Sequence, residues 1–572
     1  MPVHNHELSA VFQRLADLLE IQGADRFRVR AYRNAARTIE SHPGSIADMV
    51  HKERDIQALP EIGRDLADKI REYVKTGRLR LLEELEKEIP RGLIALTSLG
   101  SIGPKRARAL YEELGVSSLE ELAECARRGE IARIRGFGAK TERKILEEIA
   151  GKSGQAVRTK FINAHEIAQA YLAHLRGLDT VKQAVVAGSY RRKKDTVGDL
   201  DILVTCDDPG RVMDRFTGFE DVETIVSKGS TRSTVVLRSG LQIDLRVVPD
   251  ESYGAALHYF TGSREHSIAV RKMAMKKGLK INEYGVFSGE RLVAGRTEED
   301  VYRSVGLHYI EPELRENRGE IEAALRGELP RLITLEDIRG DLHAHTSLTD
   351  GRNTLEEMVE AARSRRYEYL AVTNHSPQVR IARGITSDIL MKQLEEIDSL
   401  GRRYPDITIL KSAEVDILKD GSLDYPDEVL DLLDFTVCSI HYHLHLSCDR
   451  QTERVLRAMD NPRFTIFGHP TGRLINEREP YEIDLERIIE AAREKGCYLE
   501  LNAHPDRLDL DDISCRAAKS SGVMVAISTD SHSVHHLGYM ALGIYQARRG
   551  WLEPGDVLNC LPVGELKRRF RR

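Results

Sequence analysis

The sequence predicts a multidomain chain of mixed class, α+β in its first part and α/β in its last. Three observations predict it. At 572 residues the chain exceeds one hydrophobic core, and at roughly 100–200 residues per domain it divides into three or four. Residues 1–150 carry apolar residues at helical spacing, as in LSAVFQRLADLLEI, whereas 151–250 break into short β-rich runs between Gly and polar turns. From 341 onward, β-rich runs ending in histidine or acid alternate with amphipathic helices, which points to a parallel sheet or (β/α) barrel.

In the helical part, three glycine turns, LPEIG (59–63), LGSIG (99–103) and IRGFG (134–138), each precede a basic or polar helix start. They form an internal repeat of helical hairpins. The glycines allow a tight bend, and the amides of the next helix N-terminus can then bind phosphate. In the middle part, VKQAVVAGSY, DLDILVTC, STVVLRSG and LQIDLRVV read as strands. Residues 251–320 return to mixed helix and short strand, and 315–340 read as a connecting helix plus linker. In the last part, DLHAH, YLAVTNH, ITILKSAEVDI, FTVCSIH, FTIFGHP, CYLELNAH and VMVAISTDSH are the strand candidates. Chemistry is expected at their C-terminal ends.

Hydrophobic residues make up 41% and charged residues 31%, an ordinary globular balance that excludes a fibrous or largely disordered chain. No run approaches ~18 apolar residues, so no membrane partner is expected. The first residues lack a basic start followed by an apolar run, so no secretory leader is expected. Seven scattered cysteines without a CxxC pair fit a reducing cytoplasm. Residues 1–339 carry 55 Lys+Arg against 53 Asp+Glu, and residues 340–572 carry 30 against 38. The second part is thus acidic, and it holds 11 of the 20 histidines. A weakly basic part and an acidic part rich in metal donors suggest two functional halves.

The stretch GSYRRKKDTVGDLDILV (188–204) carries the first chemistry. Asp199 and Asp201 flank one residue of a predicted strand, so they share a face. Adjacent carboxylates repel unless a cation lies between them, and hard oxygen donors suit Mg²⁺ or Mn²⁺. Gly188 and Ser189 form a turn able to admit phosphate, and Arg191, Arg192, Lys193 and Lys194 supply positive charge nearby. Asp244 ends another predicted strand. Three acids with a GS turn suit in-line phosphoryl transfer with two metals about 4 Å apart.

GSYRR, GDLDILV and IDLR, followed by YFTGS (259–263) and GLKINEYGVF (278–287), resemble the family X DNA polymerases over about residues 1–320. The resemblance implies helix-hairpin-helix N-terminal domains and a nucleotidyltransferase palm with thumb. It implies Asp199, Asp201 and Asp244 as catalytic metal ligands, with Asp244 helping to deprotonate the primer 3′-hydroxyl. Gly188, Ser189, Arg192 and Gly198 would hold the triphosphate. Tyr259, Phe260 and Gly262 would meet the nucleotide sugar, Ser267 the base, and Arg271 the template strand or minor groove. The family often has Asn where Ser267 stands, and Val197 replaces a Ser that often follows the basic run. Gly63, Gly100, Gly103, Lys105, Gly136, Gly138 and Lys140 would grip the DNA backbone. Lys69 matches a lysine that forms a Schiff base with an abasic sugar in relatives. A nucleophilic amine needs a lowered pKa, and Asp65 and Asp68 nearby would raise it. Lyase and plain helix lysine both stay open.

Beyond 340, His343 and His345 are spaced HxH, Asp350 follows in a loop, and His375, Glu414, His441, His469, Asp530 and His532 lie at or after predicted strand ends. Imidazoles with carboxylates suit Zn²⁺, Mn²⁺ or Fe, and nine donors exceed the needs of one ion. DLHAHTSLTDG, AVTNH, AEVDI, SIH, GHP and STDSH resemble, in order, the PHP phosphoesterase family over about 340–560. That resemblance implies a distorted (β/α)7 barrel with a trinuclear centre. His343, His345, Glu414 and Asp530 would hold one ion. Glu414 would bridge to a second with His441 and His469, and Asp350, His375 and His532 would hold the third. Asn374 stands where the family often has Asp.

Together the resemblances imply a polymerase filling short gaps during base-excision repair, with a 3′-5′ exonuclease, and in some relatives abasic-site cleavage, in the C-terminal domain. Mg²⁺ or Mn²⁺ would serve the palm, and two or three Mn²⁺, Zn²⁺ or Fe ions the barrel. The partners would be gapped or primer-template DNA and dNTPs, for a monomer in the cytoplasm at the nucleoid. The expected domains are 1–88 (N-terminal helical), 89–152 (helix-hairpin-helix), 153–250 (palm), 251–318 (thumb), 319–340 (linker) and 341–572 (PHP). Two rival readings are a phosphatase of small phosphate esters localised by its N-terminal half, and a non-catalytic DNA-end scaffold.

Overall fold

The computed structural model describes residues 5–570, apart from 42–45, 60, 91–92, 94–95, 98, 100, 135 and 150–157. The chain forms two compact units, 1–158 and 159–572. In the first, helices Asn5–Gln22 and Arg26–Ser41 pair along an apolar stripe that buries Phe12, Leu15 and Tyr32. The last glycines of two of the expected turns stand where a helix begins. Gly63 caps helix Arg64–Thr76, and Gly103 caps Pro104–Leu114, whose first-turn proline needs no hydrogen-bond partner.

The second unit begins with a short ribbon, β1 (Thr159–Lys160) against β3 (Thr196–Val197). The palm sheet has the order β2 (Val181–Val186), β4 (Asp199–Cys206), β7 (Gln242–Val247), β6 (Arg232–Leu237), β5 (Val222–Lys228). All its neighbours are antiparallel except β4 and β7, which run parallel. Leu200, Ile202 and Val204 point to one face, where helices Phe161–Arg176 and Pro209–Thr217 cover them. The period of two sends Asp199, Asp201 and Leu203 to the other face, toward helix Tyr253–Thr261. Strand β5 is not among the expected strands. It is an exposed edge, so its burial pattern does not alternate, although four of its seven residues (Val222, Thr224, Ile225 and Val226) are β-branched. The GS segment is a short helix, Gly188–Arg191, where a turn is expected. Asp244 lies inside β7 and does not end it. Helices Tyr253–Thr261, Arg264–Lys276 and Glu298–Val305 with the small sheet of β8 (Lys280–Asn282), β9 (Gly285–Ser288) and β10 (Arg291–Ala294) complete the thumb-like part.

The C-terminal part is a ring of parallel strands. β11 (Gly340–Asp341), β12 (Tyr369–Val372) and β13 (Thr408–Lys411) pair in that order. β14 (Glu414–Asp416), β15 (Val437–Ser439), β16 (Ile466–Phe467), β17 (Tyr498–Asn502) and β18 (Val525–Ser528) form a second run. Only two residues part β13 from β14, so they count as one broken strand and the ring has seven. Single bridges join His375 to Glu414 and Ala344 to Ser531, closing the ring. This is a distorted seven-stranded (β/α) barrel, and each of the seven expected runs supplies one strand.

Candidate functional site

Two clusters of donors stand on different sheets. In the palm, the parallel register sets Asp201 directly beside Asp244 and Asp199 beside Gln242. Burial together with the Asp199 and Asp244 carboxylates pushes Asp201 up to about 7. Asp244 is buried; its Oδ1 accepts from the Thr234 hydroxyl, and its Oδ2 accepts from Gln242 Nε2 at 2.8 Å. Arg232 Nη2 lies 3.5 Å from it. These side-chain bonds pull Asp244 toward its own sheet. The three acids are accordingly absent from the sets of donors, among the described residues, that approach one another within 4.8 Å. Gly188 has φ +61°, and a Cβ there would sit 2.7 Å from Asp201 Oδ2. A glycine is thus required where the GS helix meets the acid. The raised pKa of Asp201 and this bare cradle fit a divalent cation, whose charge would relieve the repulsion.

The basic run does not spread its charge over this site as expected. Arg191 is bound bidentately by Glu298 at 2.9 and 2.6 Å. Lys193 is half-buried over the rings of Tyr545 (4.3 Å), Phe161 and Tyr190 (both 5.3 Å), and loss of solvent there lowers its pKa. Burial also lowers Lys194. Lys193 is therefore taken up by the rings, while Lys194 lies among Glu316, Arg549 and Asp512. Arg192 is the cation that remains beside the GS helix. Its Nε donates to Glu316 (3.0 Å) and its Nη1 to the Thr261 carbonyl (2.6 Å), which leaves Nη2 outside both bonds. Gly198 is exposed and Ser189 half-buried on the same segment.

Gly262, with φ +68°, ends helix Tyr253–Thr261 next to Arg192. Tyr259 is exposed, and the Arg271 guanidinium stands 5.9 Å from its ring centre while donating to the Ser267 carbonyl. Phe260 carries Arg246 over its ring at 4.4 Å. Ser267 is buried with its hydroxyl unpaired. Its short side chain points inward.

In the N-terminal unit, a Cβ at Gly63, Gly103, Gly136 or Gly138 would meet nothing within 4 Å. The turns are open, and the first amides of the helices after Gly63 and Gly103 have no side-chain cap. Lys105 is exposed and 3.8 Å from Glu20. Gly100 and the Lys140 side chain lie outside the described residues. Lys69 donates to Asp65 at 2.5 Å. Although burial lowers its pKa, Asp65 and Tyr32 outweigh that and raise it. The amine is held protonated, which opposes nucleophilic attack. Asp68 bonds Arg71.

In the barrel the histidines and acids gather at one end of the ring, just past the strands that carry them. His343 Nε2 lies 3.1 Å from His345 Nε2, and His345 Nε2 3.1 Å from Asp530 Oδ1. Glu414 is central. Its Oε2 lies 2.7 Å from His375, and its Oε1 lies 3.3 Å from His441 and 3.0 Å from His469. Asp350 Oδ2 is 3.4 Å from His375 and 3.2 Å from His532. Three overlapping groups result: His343, His345 and Asp530; His375, Glu414 and His441; and His345, Asp350, His375 and His532. This differs from the expected partition in four details: His345 also joins the Asp350 group, His375 also stands with Glu414, Glu414 is not grouped with His343, and His469 reaches Glu414 at 3.0 Å without joining a group.

Burial opposes charge here, yet the cluster keeps it by pairing. His343 is raised well above its ordinary value by Glu500, Asp530 and Glu414 despite burial. His375 and His441 rise to about 9 against burial, chiefly through Glu414. His345 falls to about 3 through burial and its neighbours His532 and His375. Glu414 and Asp530, although buried, are pulled well below the carboxylate range by the histidines. His345 Nδ1, His469 Nδ1 and Asp350 Oδ1 are buried without a hydrogen bond. Buried lone pairs converging on common points, with both nitrogen and carboxylate donors, fit divalent metal ions.

Four further residues support the donors and are not among the expected ligands. Glu500 Oε1 pairs with His343 Nδ1 at 2.7 Å, and its Oε2 accepts from the His469 backbone at 2.6 Å. Asp416 Oδ1 meets His441 Nδ1 at 3.0 Å. Asn502 donates to Asp530 at 3.1 Å and Glu500 at 3.2 Å. Arg507 Nε lies 3.8 Å from Asp530 Oδ2. The signal that finds Asp416 and Asn502 is the period of two, counted from Glu414 and Glu500 on the same strands. Asn374 bonds Thr346 and Thr349, so it braces the loop after His345 and takes no ligand position.

Family models match along the chain in order. They are a helix-hairpin-helix domain over 3–79, a SAM-like helix-hairpin-helix tandem over 93–150, the DNA polymerase beta palm over 162–249, the DNA polymerase beta thumb over 256–316, and the PHP domain over 341–504. The chain is 36% identical to the DNA polymerase/3′-5′ exonuclease PolX of Bacillus subtilis (strain 168), with the whole of both chains covered. It is 25% identical to DNA polymerase lambda of Rattus norvegicus over 55% of this chain and 56% of that one. A probable phosphatase of Thermoanaerobacter sp. (strain X514) is 27% identical over 40% of this chain and 92% of its own.

Proposed function

We propose, from the premise that this chain belongs to the family of the DNA polymerase/3′-5′ exonuclease PolX, that it extends DNA primers at the palm and trims DNA 3′ ends at the barrel. The observation that carries this is the pairing of two centres in one chain: Asp201 in register with Asp244 on the palm sheet, and nine donors at one end of the barrel. A phosphatase reading is not favoured, because the phosphatase relative covers 40% of this chain whereas the polymerase relative covers all of it.

Divalent ions, when bound, supply charge neutralisation at both centres: Mg²⁺ or Mn²⁺ on the palm oxygens, and Mn²⁺, Zn²⁺ or Fe on the mixed barrel donors. Asp199, Asp201 and Asp244 would hold the first set, and the nine barrel donors the second. In the palm, Ser189, the Gly198 backbone and Arg192 Nη2 orient the triphosphate. Asp244 accepts the proton of the primer 3′-hydroxyl as that oxygen attacks the α-phosphorus and pyrophosphate leaves. Tyr259, Phe260 and Gly262 bound the sugar. The open hairpin turns at Gly63, Gly103, Gly136 and Gly138, with Gly100, Lys105 and Lys140, hold phosphates of gapped or primer-template DNA. In the barrel, Glu500 and Asp416 fix the ring orientation of His343 and His441, and Arg507 faces the phosphate of the terminal nucleotide. Water attacks that phosphorus, a nucleoside monophosphate departs, and the 3′-hydroxyl is left for extension.

The domain limits that go with this are 1–88, 89–152, 153–250, 251–318, 319–340 and 341–572. Both centres are built by a single chain, which is the ground for reading it as a monomer. No helix among the described residues is long and apolar enough to cross a membrane, and the DNA of the nucleoid is the proposed place of work. Primer extension on one-nucleotide-gapped DNA, run beside degradation of single-stranded DNA, tests the scheme. Asp199→Ala with Asp201→Ala should abolish extension and spare degradation, and His343→Ala should do the reverse. Loss of degradation in the palm variant would overturn the division of labour.

A further inference from the structure

Palm, thumb and barrel belong to one compact unit, and one buried barrel side chain reaches into the palm. Arg549 is the last residue of helix Met540–Arg549 and is only 4% exposed. Its Nη1 donates to the Arg192 backbone carbonyl at 2.8 Å and to Glu316 Oε1 at 3.0 Å. Its Nη2 donates to Asp512 at 2.5 Å, and Asp512 in turn takes Arg318 Nη1 at 2.9 Å. Glu316 Oε1 is the same oxygen that receives Arg192 Nε. Arg192 is therefore held twice by way of Arg549: at its carbonyl directly, and at its guanidinium through a shared carboxylate.

Both contacts bear on the segment that would cradle the triphosphate. Arg192 is the C-cap of the four-residue helix that starts at Gly188 and Ser189. A helix of that length leaves its last carbonyls without partners inside it, and Arg549 satisfies the one at the cap. Glu316, although largely shielded from solvent, is held ionised, down to about 2, by Arg549, Arg192 and Lys194. With two guanidiniums on one carboxylate, Glu316 cannot neutralise Arg192 fully, and the Arg192 guanidinium keeps positive charge for an incoming anion. Without Arg549, Glu316 would pair with Arg192 alone and draw it away.

We infer that Arg549 of the barrel is a positioning residue for the polymerase site: by anchoring the Arg192 carbonyl and sharing Glu316, it sets affinity for the nucleoside triphosphate. The inference rests on the reading of Arg192 as a triphosphate ligand. It makes the barrel a structural part of the nucleotide pocket, beyond its own hydrolytic centre.

Steady-state incorporation of one dNTP into gapped DNA by the full chain tests this. Arg549→Lys keeps the charge but cannot span three acceptors, and it should raise KM for dNTP about tenfold with kcat within about threefold. Degradation of single-stranded DNA and the thermal midpoint should stay near wild type. Glu316→Gln, which removes the shared charge, should shift KM in its turn. In an Arg192→Ala background the residue-192 carbonyl contact remains but the guanidinium is gone, so Arg549→Lys should raise KM by a smaller factor than it does in the wild-type background. Unchanged KM in a folded Arg549→Lys protein overturns the inference. So does a joint fall of KM-independent rate, degradation and melting temperature, which would mark Arg549 as a plain structural contact. If Arg192→Ala itself leaves KM unchanged, the underlying assignment of Arg192 fails first, and that result is distinct from a normal Arg192 effect with no Arg549 effect.

Discussion

Gly188→Ala tests the palm geometry most directly. The added methyl would lie 2.7 Å from Asp201 Oδ2, where ordinary contact begins near 3.4 Å. The carboxylate must therefore yield by about 0.7 Å, and side-chain rotation is its cheapest escape, since the helix and strand backbones are both locked in their hydrogen-bond patterns. A misplacement near 1 Å costs a reaction of this kind about 10²-fold, so extension should fall between about ten- and a hundredfold, or roughly 1.4–2.7 kcal/mol of barrier. The stability cost is separate. A left-handed φ of +61° disfavours an L-residue by about 1–2 kcal/mol. Single-turnover incorporation on one-nucleotide-gapped DNA measures the first quantity, and denaturant unfolding measures the second. Degradation by the barrel, read in parallel, should not change. Wild-type extension by the alanine variant would refute the claim that Gly188 is there to make room for Asp201, and an equal loss of degradation would show that the damage is global.

Glu500→Gln should weaken the orientation of His343 and lower both bound metal and degradation by about 10–100-fold, with extension retained; elemental analysis of the purified variant and a single-strand degradation assay check it. Glu298 is buried between Arg315 and Arg191. Burial resists its ionisation, but Arg315 and Arg191 hold it from the ordinary 4.5 down to about 2, a stabilisation of about 3 kcal/mol. Because the folded pKa is depressed, this contribution is present above about pH 4.5 and fades as pH falls toward about 2. The stability gap between wild type and Glu298→Gln should thus be about 3 kcal/mol near neutrality and close progressively in acid, as urea unfolding across pH would report; a gap that widens in acid would contradict it. Chelation followed by millimolar Mn²⁺ should raise the thermal midpoint of the wild type and restore degradation, and the rise should be much smaller in His345→Ala, as calorimetry would show.

Local pattern carried most of the site. The HxH of His343 and His345, the DxD of Asp199 and Asp201, and the histidines or acids that close each barrel strand follow from periods of two and from strand ends, which neighbouring residues alone specify. The seven barrel runs were legible for the same reason. The edge strand β5 was not, because an exposed strand needs no alternation of apolar side chains. The basic run 191–194 shows the limit from the other side. Its composition suggests four cations supplying positive charge near the acids, but Glu298 and the aromatic rings around Lys193 claim two of them from distant points in the chain.

By itself, then, the sequence determined the order of domains, the donor types and the faces they share. Those depend on residues near one another in the chain. Tertiary structure alone decided that Asp244 stands beside Asp201, that Glu500 steadies His343, and that Arg549 crosses from barrel to palm to hold Arg192. These are pairings between segments far apart in sequence. Only the closing of the sheets and the burial of charge, which must find a partner wherever the fold supplies one, bring them together.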